Sequence, residues 1–454
     1  MVWVSIDPRS GQEIARYPLH TDDELQALLA RGARAASRWA ERPLEDRTRV
    51  LRRLAELLDE RVERYAAQIT AEVGKPIAQA EAEVRKCAWA ARHYAEHAPA
   101  MLAPRPEPVE SGEAGVQPEP LGLVLLIMPW NYPFWQVIRA LVPQLALGNT
   151  CLLKHAEHVG GVADELESLL REASSDADVL LSLRIDHGTA ARVIAAPQVR
   201  GVSLTGSTRA GRAVAAAAGA ALKPCVLELG GSDPFVVCAD AELDRALEVA
   251  VTARLQNNGQ SCIAAKRFII ETSIYEKFVQ GLAGRFASVR MGDPFDREIE
   301  LGPLARADLR ENLHAQVRAS IEAGARVVLG GELPEGPGWF YPPTILADVT
   351  ADMPVGHEET FGPVAACLRA GDREHALRLA NATTYGLGAS VWTTDPDNAR
   401  WFERRLEAGM VFVNDMVRSD PRLPFGGIKD SGYGRELGRE GLLAFANVKT
   451  IWRR

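Results

Sequence analysis

Cys262 stands in the run Gln-Asn-Asn-Gly-Gln-Ser-Cys-Ile-Ala, residues 256–264, where a polar, glycine-containing approach delivers a single thiol. Upstream, Glu228 ends an apolar strand and is followed at once by a glycine turn, Leu229-Gly230-Gly231-Ser232-Asp233-Pro234. A thiol that attacks carbon and a carboxylate that later activates water are the two parts of a covalent acyl transfer. Each residue alone has a plainer use, since a lone cysteine is most often a small buried hydrophobe and a lone glutamate a solvated charge. Three further motifs set them in context: Met128-Pro129-Trp130-Asn131-Tyr132-Pro133, the turn Gly206-Ser207-Thr208-Arg209-Ala210-Gly211, and Glu358-Glu359-Thr360-Phe361-Gly362-Pro363-Val364.

The Gly206–Gly211 turn follows an apolar stretch, residues 199–205, and opens an alanine-rich helix, a context in which backbone N–H groups hold a diphosphate. It is not a P-loop, because Arg212-Ala213 stands where Lys-Ser/Thr would follow. It also departs from the usual dinucleotide fingerprint, with Thr208 in place of the middle glycine. A tight strand-to-helix turn is the structural alternative. Lys154 and Glu157 at the end of another apolar run read equally as a surface ion pair, and His155 with His158 lacks a third metal ligand nearby, so no metal site is expected.

Positioning these groups requires a large framework, and the chain supplies one. With 454 residues and 47% hydrophobic content it is long enough for two or three domains with sizeable cores. The 52 Lys and Arg against 60 Asp and Glu leave a mild acidic excess, without the basic footprint of a nucleic-acid or anionic-membrane partner. The longest apolar run, 121–130, is about half a bilayer span. The N-terminus lacks a signal-peptide pattern, which points to the cytoplasm. Six scattered cysteines without a Cys-x-x-Cys pair point to reduced thiols.

Leucines at three- and four-residue spacing between 21 and 101 predict amphipathic helices. A proline-rich stretch, 102–120, reads as an exposed excursion. From 121 to 231, apolar runs at 123–127, 150–153, 199–205 and 225–229 alternate with helical stretches. A second alternation extends to about residue 432, with runs at 325–329, 364–368 and 410–414. Both patterns predict parallel α/β sheets. The segment 445–452 returns to strand character and is expected to pair with the proline-rich excursion.

On these five motifs, in this order from about residue 20 to the C-terminus, the chain resembles the NAD(P)-dependent aldehyde dehydrogenase superfamily. The resemblance implies an α/β fold: a Rossmann-type cofactor domain (1–101 and 121–231), an α/β catalytic domain (232–432), and a small oligomerisation sheet (102–120 and 433–454) in a homodimer or homotetramer. It implies that the Cys262 thiolate attacks an aldehyde, that the Asn131 amide and the Cys262 N–H hold the oxyanion, and that Glu228 activates water. It also implies a cofactor set of Lys154, Glu157, Gly206, Ser207, Gly211, Leu229, Glu359 and Phe361. Glu157 can accept from both ribose hydroxyls and would repel a 2′-phosphate, so NAD is expected ahead of NADP. The segment 173–179 departs from the family's usual Gly-Leu-Pro-x-Gly-Val, which puts the border of the adenine pocket in question.

Within the superfamily, Met416–Gly427 and the run Trp130–Gln136 resemble bacterial succinate-semialdehyde dehydrogenases. That substrate carries a carboxylate, for which Arg139 is the candidate cation, one helical turn beyond Trp135; a structural ion pair is its equal alternative. Ser261 and Ser419 are candidate hydroxyl donors. A general aliphatic or aromatic aldehyde dehydrogenase, a CoA-acylating enzyme and a non-catalytic homologue are the alternatives.

Overall fold

The structure is a computed structural model that describes residues 2–175 and 178–454; Asp176 and Ala177, within the atypical 173–179 segment, lie outside the described residues. Helices Asp22–Glu41, Leu44–Glu60, Val62–Val73 and Ile77–Met101 occupy the region of leucine periodicity. The first starts in a reciprocal capping box between Thr21 and Glu24, which satisfies two backbone donors at once.

The first sheet runs in the spatial order Gly432–Tyr433, Cys225–Glu228, Val199–Thr205, Leu123–Ile127, Thr150–Lys154, Leu180–Ser182. All neighbours are parallel except the short Gly432–Tyr433 strand. From Leu123–Ile127 the chain moves outward through Thr150–Lys154 and Leu180–Ser182, then returns to the opposite side at Val199–Thr205. The connections therefore part in opposite directions between Leu123–Ile127 and Val199–Thr205. A crevice opens at the carboxyl ends of strands at such a switch point. Leu123–Leu126 are buried, as are all thirteen residues of helix Trp135–Leu147, which is apolar nearly all round because it lies between the sheet and the helices before it.

The second sheet has seven strands, in the order Arg326–Leu329, Thr344–Ala347, Val364–Ala370, Ala265–Glu271, Asp233–Val237, Gly388–Trp392, Met410–Val413. It is parallel except for Arg326–Leu329, an antiparallel edge. The expected C-terminal strand forms as Ala446–Arg453 and pairs antiparallel with Glu113–Pro120 in the proline-rich segment, with Arg105–Glu107 on its far side. An N-terminal hairpin, Val2–Asp7 with Gln12–Pro18, was not legible in the sequence.

Candidate active site

The carboxyl ends of the first sheet meet the amino ends of the second, and the sequence motifs collect in that gap. Asn131 follows Leu123–Ile127, Lys154 ends its strand, the Gly206 turn follows Val199–Thr205, and Glu228 ends Cys225–Glu228. From the other side, Cys262 immediately precedes Ala265–Glu271, and Glu359 and Phe361 precede Val364–Ala370.

The loop that delivers Cys262 is held by its asparagines. Asn257, Asn258 and Gly259 are consecutive left-handed residues (φ 56°, 56° and 73°), a conformation that asparagine tolerates better than other side chains. Asn257 Nδ2 donates to the Asn131 and Gln260 carbonyls (2.7 and 2.9 Å), and Asn258 Nδ2 donates to those of Gly74 and Pro303 (2.9 Å each). Beneath the loop, the fully buried Lys266 donates from Nζ to the carbonyls of Ser261 (2.9 Å) and Cys262 (2.7 Å). The same ammonium lies 3.7 Å from Glu359 Oε1. One buried cation thus joins the Cys262 loop to the Glu359 carboxylate.

Cys262 lies at the junction of two cavities. One, of about 190 Å³, is lined by Lys86, Trp135, Arg139, Ser261, Ser419 and Phe425 among others; the second, of about 250 Å³, by Asn131, Gly206, Ser207, Leu229, Glu359 and Phe361 among others; Cys262 and Gln136 border both. The first is smaller than the roughly 300–1,000 Å³ of pockets for drug-sized ligands.

Burial pushes the Cys262 thiol up to about 12, against the pull of Arg139 and Lys266, so burial favours its neutral form. Asn131 Nδ2 donates to the Gln260 carbonyl (3.1 Å), which uses one amide hydrogen and leaves the other for a bound oxygen. Glu228 is 2% exposed, with neither carboxyl oxygen hydrogen-bonded. Burial, then the nearby Glu436, raises its carboxyl well above the usual range, with Arg139 and Arg435 opposing. A Cβ on Gly426 (φ +152°) would collide with Glu228 Oε1, so a glycine is needed there to make room for the carboxyl.

On the cofactor side, helix Thr208–Ala220 points its N-terminus at the crevice, capped by Ser207, whose side chain accepts from Ala210 N (3.3 Å). A Cβ on Gly211 would stand 2.5 Å from Leu229 Cδ1, so this glycine lets the helix lie close to the strand end. The Glu359 carboxylate accepts from Gly231 N (3.0 Å), and Phe361 packs edge-on to Trp130 at 5.7 Å between centroids. Buried Lys154 lies 3.8 Å from half-exposed Glu157, which His187 also approaches at 3.7 Å. Neither Lys154, Glu157 nor Gly211 lines the 250 Å³ cavity. The His155 ring is committed to backbone, accepting from Ala156 N (2.9 Å) and donating to the Pro133 carbonyl (3.0 Å).

On the other side of Cys262, helix Trp135–Leu147 carries Trp135 and Arg139 into the lining of the 190 Å³ cavity. Arg139 does not carry a free charge there. Its guanidinium is ion-paired with Glu436, which also accepts from Ser203 Oγ (3.1 Å), and it stacks 4.5 Å from the Phe425 ring centre. The structural pair, the alternative reading of Arg139, is thus present in the structure, formed with a buried carboxylate from a distant part of the chain.

Lys86, Lys266, Glu83 and Glu436 are participants that the sequence did not reveal. Glu83 Oε1 accepts from the backbone of Phe134 (2.9 Å) and Trp135 (3.0 Å), capping the helix that carries Trp135 and Arg139, and Lys75 pairs with its other oxygen. A charge within an amphipathic helix carries no mark of facing inward. Only Lys266, opening an apolar strand, had a local signal.

The chain belongs to the aldehyde dehydrogenase family: the family's sequence profile matches residues 3–451. It is 47% identical over 450 residues, 99% of this chain and 97% of the relative, to succinate semialdehyde dehydrogenase [NAD(P)+] Sad of Escherichia coli. It is 44% identical over 453 residues, 99% of both chains, to succinate-semialdehyde dehydrogenase [NADP(+)] 1 of Mycobacterium tuberculosis. The crystal structure of the Streptococcus pyogenes succinic semialdehyde dehydrogenase in complex with NADP+ superposes with a TM-score of 0.97, at 36% identity over 99% of both chains.

Proposed function

We propose that this protein oxidises a short semialdehyde, succinate semialdehyde, to its dicarboxylate with NAD(P) as hydride acceptor. The observation that carries the reading is the position of Cys262 on the border of two cavities, one short and cation-lined and the other bounded by the Gly206 turn and Glu359. A thiol between an aldehyde and a hydride acceptor is the geometry this reaction needs.

The Cys262 sulfur bonds to the aldehyde carbon, and its proton leaves as the thiohemiacetal forms. The free Asn131 amide hydrogen and the Cys262 backbone N–H hold the oxyanion; one such donor is worth about 100- to 1,000-fold in rate. The residues on this side fit a dinucleotide: the N-terminus of helix Thr208–Ala220 would hold the diphosphate, Glu359 and, outside the 250 Å³ cavity, Lys154 would hold the riboses, and Trp130 and Phe361 would supply aromatic walls. When bound, an oxidised nicotinamide would supply the hydride acceptor and a positive charge that favours the thiolate. A thioester on Cys262 remains, and Glu228 takes a proton from the water that hydrolyses it. Burial and Glu436 raise this carboxyl, which makes its ionised form a stronger base than an ordinary carboxylate.

NAD is preferred to NADP, because the Glu157 carboxylate opposes a 2′-phosphate and engages Lys154. The sheet formed by Ala446–Arg453 and Glu113–Pro120 exposes Val448 and Trp452 (57% and 52%), which supports assembly into a dimer or tetramer through it.

The test is formation of reduced cofactor from succinate semialdehyde and from butanal, without CoA, with each nicotinamide cofactor. Turnover that favours the semialdehyde is expected. A requirement for CoA would overturn the hydrolytic reading, and no turnover with any aldehyde would overturn the enzyme assignment for this site.

A further inference from the structure

Three cationic side chains line the cavity on the substrate side of Cys262: Lys86, Arg139 and Arg418. Two already have carboxylate partners, Arg139 in a buried pair and Arg418 in an exposed one. Arg139 pairs with Glu436, and Arg418 Nη2 lies 2.6 Å from Asp415 Oδ2. Lys86 has no carboxylate within 4.0 Å among the described residues; its Nζ donates to Ser419 Oγ (2.7 Å) and lies 4.5 Å from the Trp135 ring centre.

The carboxylates that could have paired with Lys86 are engaged elsewhere. Glu83, one turn back on the same helix, is held by Lys75 and by the backbone N–H groups of Phe134 and Trp135. Asp420, beside Ser419, is held by the backbone N–H and guanidinium of Arg422 (2.9, 2.8 and 2.6 Å). A partly buried ammonium without a counter-ion is costly, and the cost is relieved when an anion enters. Burial, with Arg139 as the next contributor, already lowers the Lys86 ammonium to about 8.

We infer that Lys86, together with the Ser419 hydroxyl it positions, is the anchor for the distal carboxylate of the substrate, and that it sets the selectivity for ω-carboxylate aldehydes. This rests on the semialdehyde reading above. An ammonium has three donors, and one is spent on Ser419. Because Ser419 Oγ accepts from Lys86, its own hydrogen points away from Nζ and can meet the same carboxylate. The Trp135 face packs against the short methylene chain and holds the ammonium by cation–π contact. Arg139, its charge neutralised by Glu436, supports Phe425 in the cavity wall instead.

The experiment compares kcat/KM for succinate semialdehyde and for butanal, of equal chain length and uncharged, in the wild type, Lys86→Met and Lys86→Arg. The wild type is expected to favour the semialdehyde. Lys86→Met should lower that preference by roughly 10- to 100-fold through KM for the semialdehyde, as for loss of a charge-assisted hydrogen bond. Lys86→Arg should restore much of it. Should Lys86→Met not fold, Lys86→Gln keeps a donor for Ser419 without the charge and reads the same ratio. A wild type that does not favour the semialdehyde overturns the substrate reading and the anchor with it. A wild type that does, combined with charge-removing variants that keep the preference or lose both substrates alike, overturns the anchor alone.

Discussion

Replacing Glu228 with Gln separates the two halves of the proposed reaction. The carboxyl is 2% exposed, makes no hydrogen bond and is held toward its neutral form by burial and by Glu436. The change exchanges a carboxyl for an amide of nearly the same volume. The new amide donors, if left unpaired, cost at most about 3 kcal/mol of stability. Loss of a positioned base costs about 100- to 10,000-fold in the step it serves, or roughly 2.7 to 5.4 kcal/mol of barrier. The stability term acts on every step through the amount of folded enzyme, whereas the barrier term acts only on thioester hydrolysis. Rapid mixing with saturating substrate should thus show a burst of one reduced cofactor per active site, followed by turnover slowed at least 100-fold. A variant without a burst would place Glu228 earlier, at thiol deprotonation. A burst followed by wild-type turnover would remove Glu228 from catalysis altogether.

Four further outcomes are expected. With the thiol raised to about 12, alkylation of Cys262 by iodoacetamide in cofactor-free enzyme should rise about tenfold per pH unit between 7 and 9, since thiolate is the reactive form; a flat profile would mean that thiolate is already present. Glu157→Ser should shift the kcat/KM ratio toward NADP by about tenfold, for one half-exposed charge near a phosphate and the release of Lys154; an unchanged ratio would place the 2′-position elsewhere. Glu436→Gln removes the charge that raises Glu228 and leaves Arg139 to act on it, so the rising limb of the pH–rate profile should move to lower pH while stability falls by roughly 3 kcal/mol; an unmoved limb would disconnect the pair from the base. Light scattering at micromolar concentration should give a dimer or tetramer mass, and a monomer mass would leave the exposed strand Ala446–Arg453 without its proposed cover.

The sequence by itself determined most of the elements and singled out candidate chemistry-bearing residues. Alternating apolar runs and helical stretches marked strands such as Leu123–Ile127 and Val199–Thr205 because strand burial and helix amphipathicity are local, periodic properties. Cys262 and Glu228 stood out because polar and glycine-rich surroundings around a thiol and a strand-ending carboxylate are unusual on the same local scale. Short strands such as Leu180–Ser182 and the N-terminal hairpin escaped because their stability comes from neighbouring strands and not from their own pattern. What only the tertiary structure decided is which charge neutralises which. Arg139 and Lys86 are both cations on helices that border the substrate cavity, and nothing local distinguishes them. Glu436, distant in sequence, comes back across the fold to neutralise Arg139, while Glu83 and Asp420 are drawn away from Lys86 by Lys75 and Arg422. A charge's availability depends on every group packed around it, and that is a property of the folded arrangement and not of the residue or its neighbours along the chain.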